Sequence, residues 1–315
     1  MKTLRVAFAC GGTGGHIYPA LAIAEKFPGC FFIGAHRLEK TLVPQAGFKF
    51  FEITANRKKP WSLLRGFGQS LYIIYKQKPT LIIATGGYVT APIIVAAKLL
   101  GKKVYLQEQN ILPGKVNRVL SILAHKVFIA FGGAAKYFPR KNVVLTGNPV
   151  RKDILNTGFS PSNPKILAFG GSLSANSINT AINQLKTHPE FSGMFEHLDG
   201  SNYRHDIAAL YSTAKLCICR AGATTLSELA AIGMPSILIP YPHAADNHQE
   251  VNARYFEEHG AAVVLLEKDL TVDKLAAVIH TIDNPDTLRK MSAAAKGLGS
   301  SNAAEKIAEF ISAGN

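Results

Sequence analysis

The stretch from Leu4 to Ala20, LRVAFACGGTGGHIYPA, decides the fold. An apolar run of strand length leads into four glycines within six residues, and a helical pattern, PALAIAEKF, follows. A strand, a glycine-rich turn and a helix in this order are typical of a parallel sheet covered by helices. Glycines at such a turn free main-chain N–H groups to converge on an anion, and the helix N-terminus adds partial positive charge.

The same alternation continues along the chain. Seven strands are predicted before residue 150, including TLIIAT and KVYLQE, and four after it, including KILAFGG and KLCICR. A Pro-, Ser- and Asn-rich passage separates the two sets. We therefore predict an α/β protein with two doubly wound, Rossmann-like domains facing a cleft: residues 1–150, a linker at 151–163, and residues 164–300. A final helix at 302–313 could pack back on the first domain.

The charge is strongly one-sided. Residues 1–150 contain 21 Lys and Arg against 4 Asp and Glu, whereas residues 151–315 contain 14 against 17. A basic half suits nucleic acid, an anionic membrane surface or a phosphate-bearing substrate, and the alternative is a merely solubilising surface. We find no bilayer-spanning run, signal peptide or metal-type cysteine spacing, and expect a cytoplasmic protein with reduced cysteines.

The glycine-rich turn is a weak signal by itself. No Gly-Lys-Ser/Thr follows, as a P-loop would need, and Ile17 stands where the dinucleotide fingerprint needs its third glycine. His16 closes the turn at the start of the helix, and imidazole suits proton transfer. A structural turn with an incidental histidine is the alternative. A second glycine turn, residues 84–92, and the polar run 107–110 end two further strands.

The second half has its own loops at strand ends, at residues 169–172, 220–228 and 241–252. The amides of residues 223–225 could hold a diphosphate beside Arg220, and Glu228 could bind a ribose diol. Thr225-x-x-Glu228 also fits a capping box, in which the carboxylate only satisfies a main-chain N–H. The amide and carboxylate groups of 241–252 suit sugar hydroxyls. No Asp-x-Asp pair is present, so we expect no metal cofactor and phosphate stabilisation by helix N-termini and Arg220.

Several motifs, in this order, closely resemble the MurG family of peptidoglycan glycosyltransferases: GGTGGHIYPALAIA, ATGGYVTAP, LQEQNILPGKVNRVL, LTGNPVR and CRAGATTLSELAAIGMPSILIPYPHAADNHQEVNA. The resemblance runs over nearly the whole chain. It implies a GT-B fold and an inverting transfer of N-acetylglucosamine from UDP-N-acetylglucosamine to lipid I, which yields lipid II. It also implies a peripheral location on the inner face of the bacterial membrane, and division or cell-wall proteins as partners.

The resemblance assigns roles residue by residue. His16 matches the candidate base that takes the proton from the acceptor hydroxyl. The donor-side positions are Arg151, Ser172, Arg220, Ala223, Thr224, Thr225, Glu228, Gln249 and Asn252. The acceptor-side positions are Gly12, Thr13, Gly14, Gly15, Gly86, Gly87, Tyr88 and Asn110.

A basic, aromatic stretch at residues 56–67 suits an anionic membrane interface. The predicted contacts are Arg57, Lys58, Lys59, Trp61, Leu63, Leu64 and Phe67. Core packing of the apolar members is the alternative. A nucleic-acid role, which only the charge suggests, lacks any recognised motif or stacking platform.

The chain departs from the family pattern in two places. Leu173 and Ser174 replace a glutamine and a glycine of the donor-side loop, and the segment between Ala175 and Lys215 is markedly short. Two other functions therefore stay open: a GT-B transferase acting on another membrane lipid, and a degenerate protein that binds a lipid-linked diphosphate without catalysis.

Overall fold

A computed structural model describes residues 4–56, 59–139, 142–170, 176–199 and 206–314. The chain divides into two compact units. Unit 1 contains Met1–Pro149 and Asn302–Asn315, and unit 2 contains Val150–Ser301. Each unit has its own sheet of parallel strands covered by helices, so the predicted α/β class with two doubly wound units is confirmed.

Unit 1 is built on a seven-stranded sheet with the order β3-β2-β1-β4-β5-β6-β7. Its strands are β1 Val6–Cys10, β2 Phe31–Gly34, β3 Lys49–Glu52, β4 Leu81–Gly86, β5 Lys103–Glu108, β6 Lys126–Ile129 and β7 Val143–Leu145. The central strands β1 and β4 are buried along their whole length, which is why they read as continuous apolar runs.

The strand order of unit 1 reverses between β1 and β4, which pair in parallel. The helices that follow these two strands leave the sheet in opposite directions, so a crevice opens beyond their carboxyl ends. Both glycine-rich turns of the sequence follow these two strands. The fold therefore places them side by side.

Helices cover both faces of this sheet. They are α1 Gly14–Ala24, α2 Leu38–Gln45, α3 Pro60–Gln77, α4 Thr90–Leu99 and α5 Lys115–Leu120, with α13 Ala303–Ala313 from the end of the chain. One core contains apolar residues of α1, α2 and α13, and the other contains those of α3 and α4. The two cores enclose the strands between them.

The last helix, α13, belongs to unit 1 although 152 residues of unit 2 precede it. Ile307 and Ile311 are fully buried in the core beside α1, and the Phe310 ring meets the Phe128 ring edge-on at 5.5 Å. Lys26 of α1 forms an ion pair with Glu305. Burial of two isoleucine side chains contributes about 1.5–3 kcal/mol each to the stability of this packing.

Unit 2 has a five-stranded sheet with the order β12-β11-β10-β8-β9. Its strands are β8 Lys165–Phe169, β9 Phe195–Leu198, β10 Ala214–Cys219, β11 Ser236–Leu238 and β12 Ala262–Val264. The sequence predicts four of these, and β9 was missed. In this edge strand only alternate residues are buried, and one of them is His197, so its sequence lacks an apolar run.

The helices of unit 2 are α6 Lys152–Leu155, α7 Asn176–Leu185, α8 Ile207–Thr213, α9 Ala223–Ile232, α10 His248–Glu258, α11 Val272–Ile282 and α12 Pro285–Leu298. The short helix α6 lies inside the segment that the sequence predicts as a linker. Its Ile154 is fully buried, and α6 packs against α8 and α9. The beginning of that segment is therefore part of unit 2.

Candidate active site

The two glycine loops of unit 1 touch each other at the strand-order reversal. Gly87 follows β4 with a φ of +89°, a backbone conformation that residues other than glycine rarely adopt. A β-carbon at Gly87 would also overlap the carbonyl oxygen of Gly11, which follows β1. Only glycine at position 87 lets the two loops approach this closely.

His16 lies against the second glycine loop. It is the third residue of α1, and a β-carbon at Gly86 would lie 2.9 Å from His16 Cε1. The main chain is fixed as well, because Thr85 Oγ1 donates a hydrogen bond of 2.7 Å to the His16 carbonyl oxygen. The end of β4 thus holds both the ring and the backbone of His16.

The end of β5 supplies a third contact to the histidine. His16 Nδ1 lies 3.1 Å from Oε1 of Gln109, whose side chain is buried. Gln109 Nε2 donates to the carbonyl oxygens of Thr85, at 2.7 Å, and Gln107, at 3.3 Å. One amide therefore connects the ends of β4 and β5 to the imidazole.

Glu108 organises the loop that leaves β5. Its buried carboxylate accepts hydrogen bonds from the N–H of Asn110 at 2.9 Å, the N–H of Gly114 at 3.2 Å, and Nδ2 of Asn117 at 2.9 Å. Burial raises the pKa of the Glu108 carboxyl, and these hydrogen bonds act in the opposite direction. Glu108 therefore fixes the conformation of the loop that begins at Asn110.

Two buried polar atoms near Gln107 have no hydrogen-bond partner among the described residues: Asn117 Oδ1 and Asn148 Nδ2. The other amide atom of each is used, since Asn117 Nδ2 donates to Glu108 and Asn148 Oδ1 accepts from Gln107 Nε2 at 2.9 Å. Buried polar atoms are normally satisfied. An acceptor and a donor are thus left for a ligand or for water.

A buried carboxylate that the sequence analysis missed lies beneath the first glycine loop. Glu39, in the first turn of α2, is fully buried and accepts hydrogen bonds from the N–H groups of Gly12, at 3.2 Å, and Ala35, at 3.1 Å. A β-carbon at Gly11 would overlap this carboxylate. The only signal was an acidic residue early in a helix, which is a common preference at helix N-termini and does not by itself indicate a site.

The positions predicted for the acceptor lie at or just after the carboxyl ends of β1, β4 or β5, which are neighbours in the sheet. Gly12 donates to Glu39, and Asn110 Nδ2 donates to Glu108 Oε1 at 3.3 Å. Tyr88 Oη donates to the carbonyl oxygen of Ala55 at 3.2 Å, so the ring is tied to the chain beyond β3. Thr13 is exposed at the rim, and Gly14, Gly15 and Gly87 are partly exposed.

In unit 2, the loop after β10 leads directly into α9. Gly222 is the residue before the first turn of this helix, and Ala223, Thr224 and Thr225 form that turn. The Thr224 hydroxyl is buried and has no hydrogen-bond partner among the described residues. The free N–H groups of a helix N-terminus and this hydroxyl together form a group of donors for an anion.

The capping-box alternative for Glu228 is wrong. That motif requires Thr225 to precede the helix, whereas Thr225 is the third residue of α9. The Glu228 carboxylate instead accepts a hydrogen bond of 3.2 Å from the buried Tyr211 hydroxyl. Burial raises the pKa of Glu228 to about 7, while the Arg151 guanidinium and the Tyr211 hydrogen bond lower it. The carboxylate is available for a role other than capping.

Arg220 is held on several sides. Its Nη1 donates to the carbonyl oxygens of Ile239 at 3.1 Å and Pro240 at 3.3 Å, and forms an ion pair with Glu267. Its Nη2 lies 3.3 Å from the hydroxyl of Ser177. These bonds fix the end of β11 and α7 around the guanidinium. A contact of Arg220 with the donor stays a prediction.

The two amides predicted for the sugar both stabilise neighbouring loops. Gln249 Oε1 accepts the N–H of Tyr241 at 3.0 Å, and the buried Asn252 Nδ2 donates to the carbonyl oxygen of Ala221 at 3.2 Å. The helix that carries them, α10, begins at His248. The hydrogen bond with Tyr241 fixes the orientation of the Gln249 amide, and so the position of its NH₂ group.

Some predicted residues lie outside the described part of the chain. They are Ser172, with its neighbours Leu173 and Ser174, and the two basic residues Arg57 and Lys58.

Helix α3 has an unusual exposed face. Trp61 is 80% exposed and Leu64 61%, and further along the same face Tyr72 and Tyr75 are 64% and 66% exposed. Lys59 precedes them, and the Lys76 ammonium lies 5.8 Å from the Tyr72 ring centre. We name the four exposed side chains the apolar face of α3. Sequence analysis missed its two tyrosines, whose spacing from Trp61 becomes meaningful only on one long helix.

Two other predicted membrane contacts are less accessible. Phe67 packs against the core of unit 1, which agrees with the alternative of core packing. Leu63 is partly buried. Among the described helices, none is long and apolar enough to cross a bilayer. The described residues also contain no cluster of three or more His, Cys, Asp or Glu side chains placed to bind a metal ion.

Comparison with known proteins adds to this geometry. Residues 6–129 match the glycosyltransferase family 28 N-terminal domain, and residues 181–309 match the glycosyltransferase family 28 C-terminal domain. A Desulforudis audaxviator protein named UDP-N-acetylglucosamine–N-acetylmuramyl-(pentapeptide) pyrophosphoryl-undecaprenol N-acetylglucosamine transferase is 40% identical, over 98% of both chains. A Geotalea daltonii protein of the same name is 35% identical, over 97% of this chain and 96% of that one.

Solved structures agree. The crystal structure of Acinetobacter baumannii MurG superposes with a TM-score of 0.82 at 28% identity, covering 98% of this chain and 99% of that one. A kitacinnamycin glycosyltransferase, at 14% identity and a TM-score of 0.72, shares the fold. The alignment with the Desulforudis protein spans 364 positions, more than the 315 residues of this chain, so that relative has residues that this chain lacks.

Proposed function

The chain belongs to the MurG family within glycosyltransferase family 28, and we propose that it transfers N-acetylglucosamine from UDP-N-acetylglucosamine to lipid I, forming lipid II. Lipid I is the muramyl-pentapeptide diphosphoryl-undecaprenol in the names of its relatives. The observation that carries the proposal is the position of His16. The ends of β4 and β5 hold it beside two touching glycine loops, in a chain that aligns with these transferases over 98% of its length.

The acceptor is assigned to unit 1. Its diphosphate would be bound by the main-chain N–H groups of residues 13–15, next to the N-terminus of α1, because the Gly12 N–H already donates to Glu39. The unpartnered buried atoms of Asn117 and Asn148 support a polar ligand at the same edge of the sheet. The excess of basic residues in the first 150 residues favours an anionic substrate there.

The donor is assigned to unit 2. The N-terminus of α9 and the unpartnered Thr224 hydroxyl support diphosphate binding. Glu228, which caps no helix, is free for the hydroxyls of the uridine ribose once it is ionised. Gln249 would then contact the sugar through the part of its amide that Tyr241 does not use.

The reaction is a single displacement with inversion. His16 takes the proton of the muramyl 4-hydroxyl while that oxygen forms a bond to the anomeric carbon of the donor sugar. The bond from that carbon to the diphosphate oxygen breaks, and UDP leaves with the electron pair. A general base contributes about 10²–10⁴ to the rate of such a step. Donors at the N-terminus of α9 would stabilise the negative charge on the departing UDP.

We place the active protein at an anionic membrane surface, bound through the apolar face of α3 and its basic neighbours. Aromatic and basic side chains together suit the boundary between headgroups and acyl chains. Lipid I is itself anchored in a membrane by its undecaprenyl chain, so the cytoplasmic face of the bacterial membrane is the proposed site of action.

We also propose that transfer requires no metal ion, because the sequence has no Asp-x-Asp pair to hold one on the donor diphosphate. Addition of a chelator such as EDTA tests this. Unchanged turnover supports the proposal, and loss of turnover that Mg²⁺ or Mn²⁺ restores contradicts it.

The test of function is release of UDP from UDP-N-acetylglucosamine in the presence of a lipid I analogue with a short, soluble chain. We expect turnover by the native chain and a loss of at least 100-fold in His16→Ala, with donor binding retained. His36→Ala, which changes an exposed histidine of unit 1, is the matched control. A native chain that binds the analogue without turnover would point to the non-catalytic alternative.

A further inference from the structure

The side-chain amide of Gln109 has an orientation that the protein dictates. Its Nε2 faces two main-chain carbonyl oxygens, those of Thr85 at 2.7 Å and Gln107 at 3.3 Å. Carbonyl oxygens can only accept hydrogen bonds, so the amide group that faces them must be the NH₂. The opposite orientation would place three oxygen atoms against one another in a buried site, where unsatisfied polar groups are costly.

With the NH₂ fixed in this way, the amide oxygen of Gln109 faces His16 Nδ1 at 3.1 Å. An amide oxygen accepts and cannot donate, so Nδ1 must carry a proton for this contact to be a hydrogen bond. In neutral imidazole only one ring nitrogen carries a proton. The lone pair of neutral His16 therefore resides on Nε2.

We infer that Gln109 is a positioning residue that holds His16 in the tautomer with Nδ1 protonated, so that Nε2 carries the lone pair that can accept a proton. The inference rests on the proposed role of His16 as the base. Hydrogen bonding at one ring nitrogen commonly determines what the other nitrogen can do. Here the backbone of β4 and β5 fixes Gln109, and Gln109 in turn fixes the imidazole.

Two further contacts favour the same arrangement. The ring lies so close to Gly86 at the end of β4 that a β-carbon there would lie 2.9 Å from His16 Cε1. The His16 main chain is held by the Thr85 hydroxyl, so the ring has little freedom to leave the Gln109 oxygen. Thr85 thus contributes its carbonyl oxygen to orient the amide and its hydroxyl to hold the histidine.

The first test uses the native, full-length chain. Nitrogen NMR of protein labelled with ¹⁵N-histidine reports which ring nitrogen is protonated in each neutral imidazole. The chain has ten histidines, and the signals that disappear in His16→Gln identify His16. We expect the proton on Nδ1. A proton on Nε2 of neutral His16 would overturn the inference, whatever the chain catalyses.

The second test removes the oxygen. Gln109→Met keeps the length of the side chain and replaces the amide with a thioether, which is only a weak acceptor. We expect its kcat to fall about 10- to 100-fold, within the contribution of a general base. The KM for UDP-N-acetylglucosamine should stay within about twofold, and NMR should show His16 losing its preference for Nδ1–H. If Gln109→Met keeps that preference, Gln109 does not set it.

A matched control separates this effect from the general loss of an amide. Gln69→Met removes a side chain of unit 1 whose Oε1 accepts the N–H of Thr54 at 2.6 Å, away from His16. Its kcat and the His16 signals should match those of the native chain. The outcomes also separate the two proposals: normal turnover in His16→Ala would contradict the assigned base, while the NMR result on native protein decides the tautomer independently.

Discussion

The imidazole of His16 leaves no room for a side chain at Gly86, where a β-carbon would lie 2.9 Å from His16 Cε1. Gly86 also has a φ of +110°. Space and backbone conformation thus independently demand glycine at the end of β4. The position of the proposed base depends on this residue.

Gly86→Ala should therefore displace the imidazole. We expect a loss of transfer of about 100-fold, since a shift of about 1 Å in a reacting group is enough for that. The strained φ should lower the free energy of unfolding by about 1–3 kcal/mol. Turnover with the soluble analogue and urea unfolding measure the two effects.

Gly68→Ala is the control for that substitution. Gly68 lies in α3 with open space around its α-carbon, so alanine there should leave turnover unchanged and stabilise the helix by about 0.5–1 kcal/mol. Full activity in Gly86→Ala would contradict the proposed contact between this loop and the base.

Glu39→Gln tests the carboxylate beneath the first glycine loop. The variant keeps one acceptor oxygen for the two N–H groups of Gly12 and Ala35, and it places an NH₂ where an acceptor is needed. We expect the free energy of unfolding to fall by about 1–3 kcal/mol. Because the loop loosens, the KM for the acceptor should rise while the affinity for UDP-N-acetylglucosamine stays the same.

The exposed Glu52 offers a comparison in the same unit. It pairs with Lys40 and His36 at the surface, so Glu52→Gln should change stability by less than about 1 kcal/mol. Equal effects of the two substitutions on stability and on acceptor KM would mean that Glu39 does not support the loop.

Glu228 should make the stability of unit 2 depend on pH. Its pKa is raised from 4.5 to about 7, so between these values the folded state binds more protons than the unfolded state. The free energy of unfolding therefore falls as pH rises through this window and levels off above about pH 7. The total change is up to about 3 kcal/mol.

Urea unfolding at pH 5 and pH 8 checks this in the native chain and in Glu228→Gln, which cannot ionise. The difference between the two pH values should shrink in the variant by the contribution of this one carboxyl. Glu250→Gln, at a surface carboxylate of α10, should keep the native difference. An unchanged difference in Glu228→Gln would show that the buried carboxyl does not titrate in this range.

The apolar face of α3 should control membrane binding. Trp61→Ala combined with Leu64→Ala should weaken binding to phosphatidylglycerol vesicles at least tenfold, because each lost side chain removes about 1.5–3 kcal/mol of apolar contact. Turnover of the soluble analogue should not change. Leu145→Ala removes a side chain of similar exposure from β7 and should bind vesicles like the native chain. Native-like binding by the double variant would exclude this face.

Much of the fold could be predicted from the sequence. In unit 1 the parallel strands are buried on both faces, so each reads as an apolar run bounded by turns. The rule that ligands bind beyond the carboxyl ends of such strands also located the glycine loops. The sequence did not predict β9, because β9 is an edge strand with Glu196 and His197 among its four residues.

The contacts within the candidate site were less predictable. Glu39 and Gln109 act through main-chain groups far away in the sequence, and no local spacing encodes those pairings. The Thr225–Glu228 spacing pointed to two roles at once. Only the residue at which α9 begins decides against the capping box, and helix ends are the least certain feature of a sequence-based assignment.

The packing of α13 has a consequence for biosynthesis. Unit 1 is discontinuous in the chain, and Ile307 and Ile311 cover the core beside Phe128. A ribosome makes all the other elements of unit 1 first, then the whole of unit 2, and this last helix only at the end. Until α13 is made, the apolar residues that Ile307 and Ile311 cover are exposed to water, and exposed apolar surface favours aggregation. Unit 1 therefore completes its core only after α13 has been synthesised, behind the whole of unit 2.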